Sequence, residues 1–522
     1  GDYAVVKDTY KGKEVSYYVE KEYEKVARKI FGETPAMMAF FSKKLGVEYP
    51  WAKYAQMTAR DYVSGAMENT TATLHQESAQ QDARELMDGN SWESTIAHEL
   101  FHQWFGDYVT AESWSNLTVN ESFANYSQLL WWEHKLGKDE ALFEHYNEMQ
   151  GYLFSGSQNK DLVRFNYNDK EDMFDAVSYN KGGRILHMLR NYIGDDAFFT
   201  ALNKYLSANK FGNGSAHKLR MAFEEVSGKD LNWYFNQWYF GSGHPKLEIS
   251  YAYNEATRTA SAIVAQTQKG DKVFKLPINI DVWNGDAKTR HMVWAENKVD
   301  TFNFTVPSKP DNINVDADKI LLAEKKDTKT LEAYAHQYFH AGNFLDRREA
   351  VAFMYDIDNA KSEPGRKVLL AALSDTSFRI RSFAINAFTR LASDAVAINK
   401  AVEIAKKDPS RLARAAAIDY LGMQRSELLA DLFTNACYDS SYTVSGAALR
   451  ALTDVDSAAG KKMTIELNKQ PSKGRLNATL IENSIRFGDA SSYDFIMSSF
   501  NKMGLTMEKI QMTNQIAFFL GK

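Results

Sequence analysis

The sequence predicts a multidomain α+β protein, and three observations lead there. The first is length, because 522 residues exceed what one hydrophobic core sustains. The second is a change of period. Helical spacing dominates to about residue 243, and beyond the breaker cluster Gly241-Ser242-Gly243-His244-Pro245 apolar residues recur at every second position. The third is a return to helical patterning after about residue 325, with a weak internal repeat. The expected division is the tail of a β domain at 1–20, a mainly helical α/β domain at 21–243, a small β-sandwich at 244–325 and an α-helical, HEAT-like domain at 326–522.

In chain order, residues 1–20 alternate apolar and polar around a turn at Lys11-Gly12-Lys13, as a hairpin does. Tyr23, Val26, Ala27 and Ile30 share one face of a predicted helix. Tyr54 to Val63 reads as a strand running into the turn at Ser64-Gly65. A long helix is expected before Gly106, which closes it, and another from near Asn120 through Trp131-Trp132. In the sandwich the strand signals are Leu247, Ile249, Tyr251 and Tyr253, then Val273 to Val282, then Phe302, Phe304 and Val306. Turns at Lys269-Gly270-Asp271 and Asn284-Gly285-Asp286 separate them. In the last region Asp375, Asp408 and Asp439 are each followed nine residues on by Ala384, Ala417 and Ala448, and thirteen on by Phe388, Leu421 and Leu452. That spacing fits stacked helix pairs or an ordinary helical bundle.

Composition removes several function classes. A net charge of −5 gives no basic face for nucleic acid or anionic membrane. No apolar stretch approaches the roughly 18 residues of a membrane span. Cys437 is the sole cysteine, so no intrachain disulfide and no cysteine metal cluster can form. Asn-x-Ser/Thr triplets at Asn69, Asn116, Asn120 and Asn125 fall beside the motifs described next. Glycans there would obstruct them, so a bacterial origin, cytoplasmic or exported, is expected rather than a eukaryotic secretory one.

The chemistry concentrates in Ala97-His98-Glu99-Leu100-Phe101-His102 and in Glu121, after 18 intervening residues. Two His at i and i+4 project from one helical face and can meet on one ion. Catalytic zinc takes three protein ligands and keeps a position open for water. His98, His102 and Glu121 supply such a set, and Glu99 between the two His is placed to act as general base. A second run, Gly65-Ala66-Met67-Glu68-Asn69, reads by itself as a glycine turn with a solvated carboxylate.

Together the two motifs resemble the aminopeptidase N family of zinc peptidases. His98-Glu99-Leu100-Phe101-His102-Gln103-Trp104-Phe105-Gly106-Asp107 and Trp114 to Ala124 are similar to that family as well. The resemblance implies a thermolysin-like catalytic domain holding one Zn2+ per chain, and peptide substrates with free N-termini. It implies that Gly65, Ala66, Met67, Glu68 and Asn69 bind substrate, with Glu68 on the α-ammonium. It also implies an oxyanion donor in a Tyr-x-Lys-Gly setting, which Tyr179 in Ser178-Tyr179-Asn180-Lys181-Gly182-Gly183 matches. Phe101, Ser122, Thr70-Thr71-Ala72 and Ser64 depart from the family's usual residues and bear on side-chain preference. Of the family's N-terminal β domain only the tail is expected. Two rival readings are a related zinc enzyme of other chemistry, as an endopeptidase or epoxide hydrolase, and a decayed peptide-binding protein.

Overall fold

A computed structural model describes residues 2–391, 393–488, 492–502 and 507–521. The chain divides into two compact units, Gly1–Gln80 with Ser91–Glu349, and Gln81–Asn90 with Ala350–Lys522.

The first unit opens with a five-stranded sheet. β1 (Tyr3–Tyr10) and β2 (Lys13–Glu20) pair antiparallel around Lys11 and Gly12, both at positive φ. β3 (Lys53–Ala59) runs parallel to β2. It is shorter than its sequence signal, because the chain turns at Asp61, whose φ is +54°. β5 (Ala72–Gln76) lies parallel to β3, and the short β4 (Ala66–Met67) folds back antiparallel on β5 as the edge. The Gly65–Asn69 run therefore sits in an edge hairpin.

The helix expected over residues 22–30 is split into a 3₁₀ turn, Lys21–Val26, and a short helix, Ala27–Phe31. Only Ala27 and Ile30 of its predicted face are buried. The helix of the His motif, Glu93–Phe101, is also shorter than predicted, at nine residues. The next helix, Thr118–Leu136, is long and buried along its first ten residues. Phe101 lies in an aromatic stack with Phe105 at 5.2 Å and edge-on to Phe41 at 4.9 Å, and Phe105 stacks on Phe123 at 4.2 Å. Such pairs contribute about 0.5–1.5 kcal/mol each beyond area burial. They fasten the His helix to the Thr118–Leu136 helix, and they place the unusual Phe101 in the core.

After Gly243 come two sheets. One orders Val299–Thr305, Thr259–Gln266, Lys246–Asn254 and Glu324–Asp327; the other orders Ala287–Ala295, Leu276–Asn284 and Asn312–Val315. Leu247, Ile249, Val264, Ile278, Ile280 and Val315 are buried on alternate positions, as the period-two runs require. Strand Ala287–Ala295 had no clear signal because most of its residues are exposed, which leaves a sheet-edge strand little apolar alternation.

In the second unit the repeat noted in the sequence has a physical basis. Asp375, Asp408 and Asp439 each accept the backbone N–H two residues on, at 2.9, 2.8 and 2.8 Å. Arg381 grips Asp408 bidentately at 2.7 Å, and Arg414 holds Asp439 at 2.6 Å. Ala384, Ala417 and Ala448 are fully buried. The same contact passes from one helix pair to the next, as stacking of like units requires. Gln81–Asn90 belongs to this unit: the Arg84 guanidinium lies 4.1 Å over the Tyr442 ring, and Glu85 meets Lys473 at 2.8 Å.

Candidate active site

The His helix ends at His102, and Phe105 and Gly106 make the turn that follows. Gly106 is at φ +146°, and a Cβ there would sit 3.2 Å from His102 Nδ1. Glycine thus allows the Phe105 carbonyl to reach His102 Nδ1 at 2.9 Å. Nδ1–H donates to that carbonyl, which leaves the Nε2 lone pair facing the site. His98 Nδ1 lies 3.0 Å from the side-chain amide nitrogen of Gln128. Half a turn of that amide presents its oxygen to an Nδ1 proton, the arrangement that frees His98 Nε2.

Three atoms then converge. His98 Nε2 and His102 Nε2 are 3.2 Å apart, and each is 3.3 Å from Glu121 Oε2. Tetrahedral ligands about 2.0–2.1 Å from a zinc ion stand about 3.3 Å from one another, so the triangle has the size zinc requires. Glu121 Oε2 and Glu99 Oε2 are buried without hydrogen-bond partners, which a cation and a nucleophile between them would supply. The donor set of two imidazoles and one carboxylate fits the same ion.

Charge points the same way. Glu68, Glu99 and Glu121 crowd around two buried imidazoles. Burial, reinforced by Glu68 and Glu121 against the pull of His102, raises the Glu99 carboxyl well above its usual range. Burial opposes ionisation of Glu121 too, but His102 and His98 outweigh it and hold Glu121 low. The His102 imidazole is raised because Glu68 and Glu121 overcome its burial, whereas burial lowers His98. Two imidazoles do not offset three carboxylates, and a divalent cation would offset two of the three charges.

Tyr179 faces this cluster. Its ring lies 5.9 Å from that of His98, nearly parallel, with Glu121 close enough to act on its hydroxyl. Burial, with Glu121 beside it, raises the phenol, which remains a donor. It stands on a π-turn, Val177–Lys181, at the head of helix Gly182–Ile193. Ser122 pins that turn: its hydroxyl donates to the Ser178 carbonyl at 2.7 Å, and a Cβ on Gly182 would fall 1.8 Å from it. The departure at Ser122 therefore acts on the Tyr179 segment. Glu148 adds a second tie by accepting from Asn125 at 2.9 Å and Asn180 at 2.7 Å.

Glu68 stands at the end of β4 with one carboxylate oxygen 3.9 Å from His102 Nδ1. Gly65, Ala66 and Met67 lead into it along the exposed edge, with the Gly65 carbonyl bonded to Gln76 N–H, and Asn69 is exposed at the hairpin turn. The structure thus gathers Glu68, His98, Glu99, His102, Glu121 and Tyr179 in one place. Sequence reasoning missed Gln103, Gln128, Asn125 and Glu148. Glu121, Asn125 and Gln128 fall at i, i+4 and i+7 of one helix, a shared face that the spacing alone could have revealed.

The sequence profile of the peptidase family M1 domain matches residues 30–238. Tricorn protease-interacting factor F2 of Thermoplasma volcanium is 31% identical over 46% of this chain and 32% of its own length. Aminopeptidase N of Streptomyces lividans is 32% identical over 42% of this chain and 27% of its own. The matched stretch thus spans about a third of these curated relatives. Aminopeptidase A of Legionella pneumophila, solved in complex with aspartic acid, superposes with a TM-score of 0.70 at 17% identity, over 96% of this chain and 61% of that one. Residues 30–238 of this chain thus match a peptidase family M1 domain.

Proposed function

We propose that this protein is a zinc-dependent aminopeptidase that removes the first residue from peptides with a free N-terminus. The observation that carries the reading is the triangle of His98, His102 and Glu121 beside the unpaired carboxylate of Glu99, with Glu68 held at the rim. Zinc bound there would act as a Lewis acid and bring the pKa of water near about 7.

The chain's own groups do the rest. Glu99 takes a proton from the attacking water and returns it to the leaving amine. Tyr179 O–H donates to the oxygen on which charge develops, a contribution of about 3 kcal/mol or about a hundredfold in rate. Glu68 pairs with the substrate α-ammonium and so fixes which peptide bond lies beside Glu99. The exposed β4 edge, with Gly65 and Ala66, lets the substrate backbone align as an added strand. An endopeptidase has no ammonium to bind, and a carboxylate at Glu68 would then face an uncharged chain.

Hydrolysis of alanyl-p-nitroanilide and of its N-acetylated form, each with and without a metal chelator, tests the proposal. Chelator-sensitive cleavage of the free-amine substrate alone is expected. Equal cleavage of both would contradict it.

A further inference from the structure

We propose that Gln103 is a positioning residue that sets the distance between the substrate-amine carboxylate Glu68 and the metal ligands; this rests on the reading of Glu68 as the amine anchor. Gln103 directly follows His102 and is fully buried. Its side-chain nitrogen donates to the Glu68 carbonyl at 3.0 Å and to Asp107 Oδ2 at 2.8 Å. Its side-chain oxygen accepts the Thr71 backbone N–H at 2.9 Å and the Tyr49 hydroxyl at 3.4 Å. Both protons and both lone pairs of the amide are therefore in use. Its orientation is also determined, since the Thr71 N–H can only donate and the Glu68 carbonyl can only accept.

The hairpin needs such a clamp. Thr71 sits at φ +65°, a region that a β-branched residue rarely adopts and that persists only where its surroundings impose it. The turn is closed by Ala72 N–H on the Asn69 carbonyl at 2.7 Å. That bond shapes the turn but does not tie it to the His helix. Gln103 does, and it bonds the backbone on both sides of Asn69 and Thr70 while its neighbour His102 faces the metal. One residue thus transmits the position of the metal helix to Glu68, without touching substrate itself. Glutamate is nearly the same shape but has no N–H to donate, and it would set a carboxylate against the Glu68 carbonyl and Asp107.

The test measures, on zinc-loaded protein, the affinities of alanine hydroxamate, which carries an amine, and acetohydroxamate, which does not. Wild type should prefer the amine-bearing compound by about tenfold or more, and Glu68→Ala should lose that preference. Gln103→Glu should lose most of it as well, with acetohydroxamate affinity and zinc content close to wild type and a lowered melting temperature. Should Gln103→Glu not fold, the double variant Gln103→Ala with Thr71→Gly relieves the strained backbone and should fold yet still lack the preference. A folded Gln103 variant that keeps the wild-type preference overturns the clamp. Absence of preference in wild type overturns the amine anchor itself, and the clamp with it.

Discussion

Two buried clusters of charge lie in the same compact unit, and they are balanced in opposite ways. Around residues 316–349, Lys319 meets Asp346 at 3.1 Å and Glu349 at 2.8 Å, Lys325 meets Asp316 at 3.0 Å, and Lys329 meets Asp327 at 3.1 Å. Asn314 and Gln337 accept further bonds from these ammonium groups, so three lysines and four carboxylates neutralise each other with little left over. At the active site Glu68, Glu99 and Glu121 have only two imidazoles, and Glu99 Oε2 and Glu121 Oε2 have no hydrogen-bond partner. The first cluster is complete in its own residues. The second keeps an imbalance that the proposed zinc and substrate ammonium would offset.

The two clusters should therefore respond differently to substitution. The largest effect is expected from Glu99→Gln, which keeps the shape of the site but removes the base. Turnover of alanyl-p-nitroanilide should fall about 10²- to 10⁴-fold while zinc content is unchanged, and activity near wild type would contradict the mechanism. Lys319→Met breaks the balanced cluster by leaving Asp346 and Glu349 uncompensated. It should cost about 3–5 kcal/mol in a denaturant titration without altering zinc affinity.

Gln128→Glu gives opposite signs in one protein. With zinc present, a carboxylate behind His98 should tighten metal binding by about tenfold, read by competition with a chromophoric chelator. With zinc removed, it adds a further negative charge near His98 and should lower the melting temperature. Equal shifts in both forms would show that charge balance does not govern this site.

The smallest effect concerns Lys181, fully buried two residues after Tyr179, with its ammonium on the Gly241 carbonyl at 3.0 Å. Burial lowers its pKa to about 7, against an unfolded value near 10.5. Between these values the unfolded chain holds a proton that the folded chain has released, so stability rises as pH rises from about 7. Below 7 both states are protonated and the full desolvation cost is present. Wild type should gain of order 1–2 kcal/mol between pH 7 and 9 relative to Lys181→Met, in paired denaturant titrations. Parallel profiles would remove Lys181 as the titrating group.

The legible parts of the molecule are those that local spacing specifies. His98 and His102 share a helical face by arithmetic, Glu121 follows at a fixed distance, and the period-two runs between residues 247 and 306 mark strands of the two sheets. The repeat at Asp375, Asp408 and Asp439 was visible because each copy makes the same contact. What remained hidden depends on distant partners. The short His helix ends where Gly106 lets Phe105 bend back to His102. The π-turn under Tyr179 exists because Ser122, 56 positions earlier, bonds the Ser178 carbonyl. Gln103 looked like any residue beside a motif, and only the folded hairpin brings the Glu68 carbonyl and the Thr71 N–H to its amide.

The central claim is that His98, His102 and Glu121 hold a divalent cation that offsets most of the charge of the three carboxylates. Diffraction from crystals of zinc-loaded protein, recorded on either side of the zinc absorption edge, tests it most directly. The account predicts one anomalous peak per chain within about 2.0–2.2 Å of His98 Nε2, His102 Nε2 and Glu121 Oε2. No peak there, with the three side chains satisfied by one another or by water alone, would contradict it.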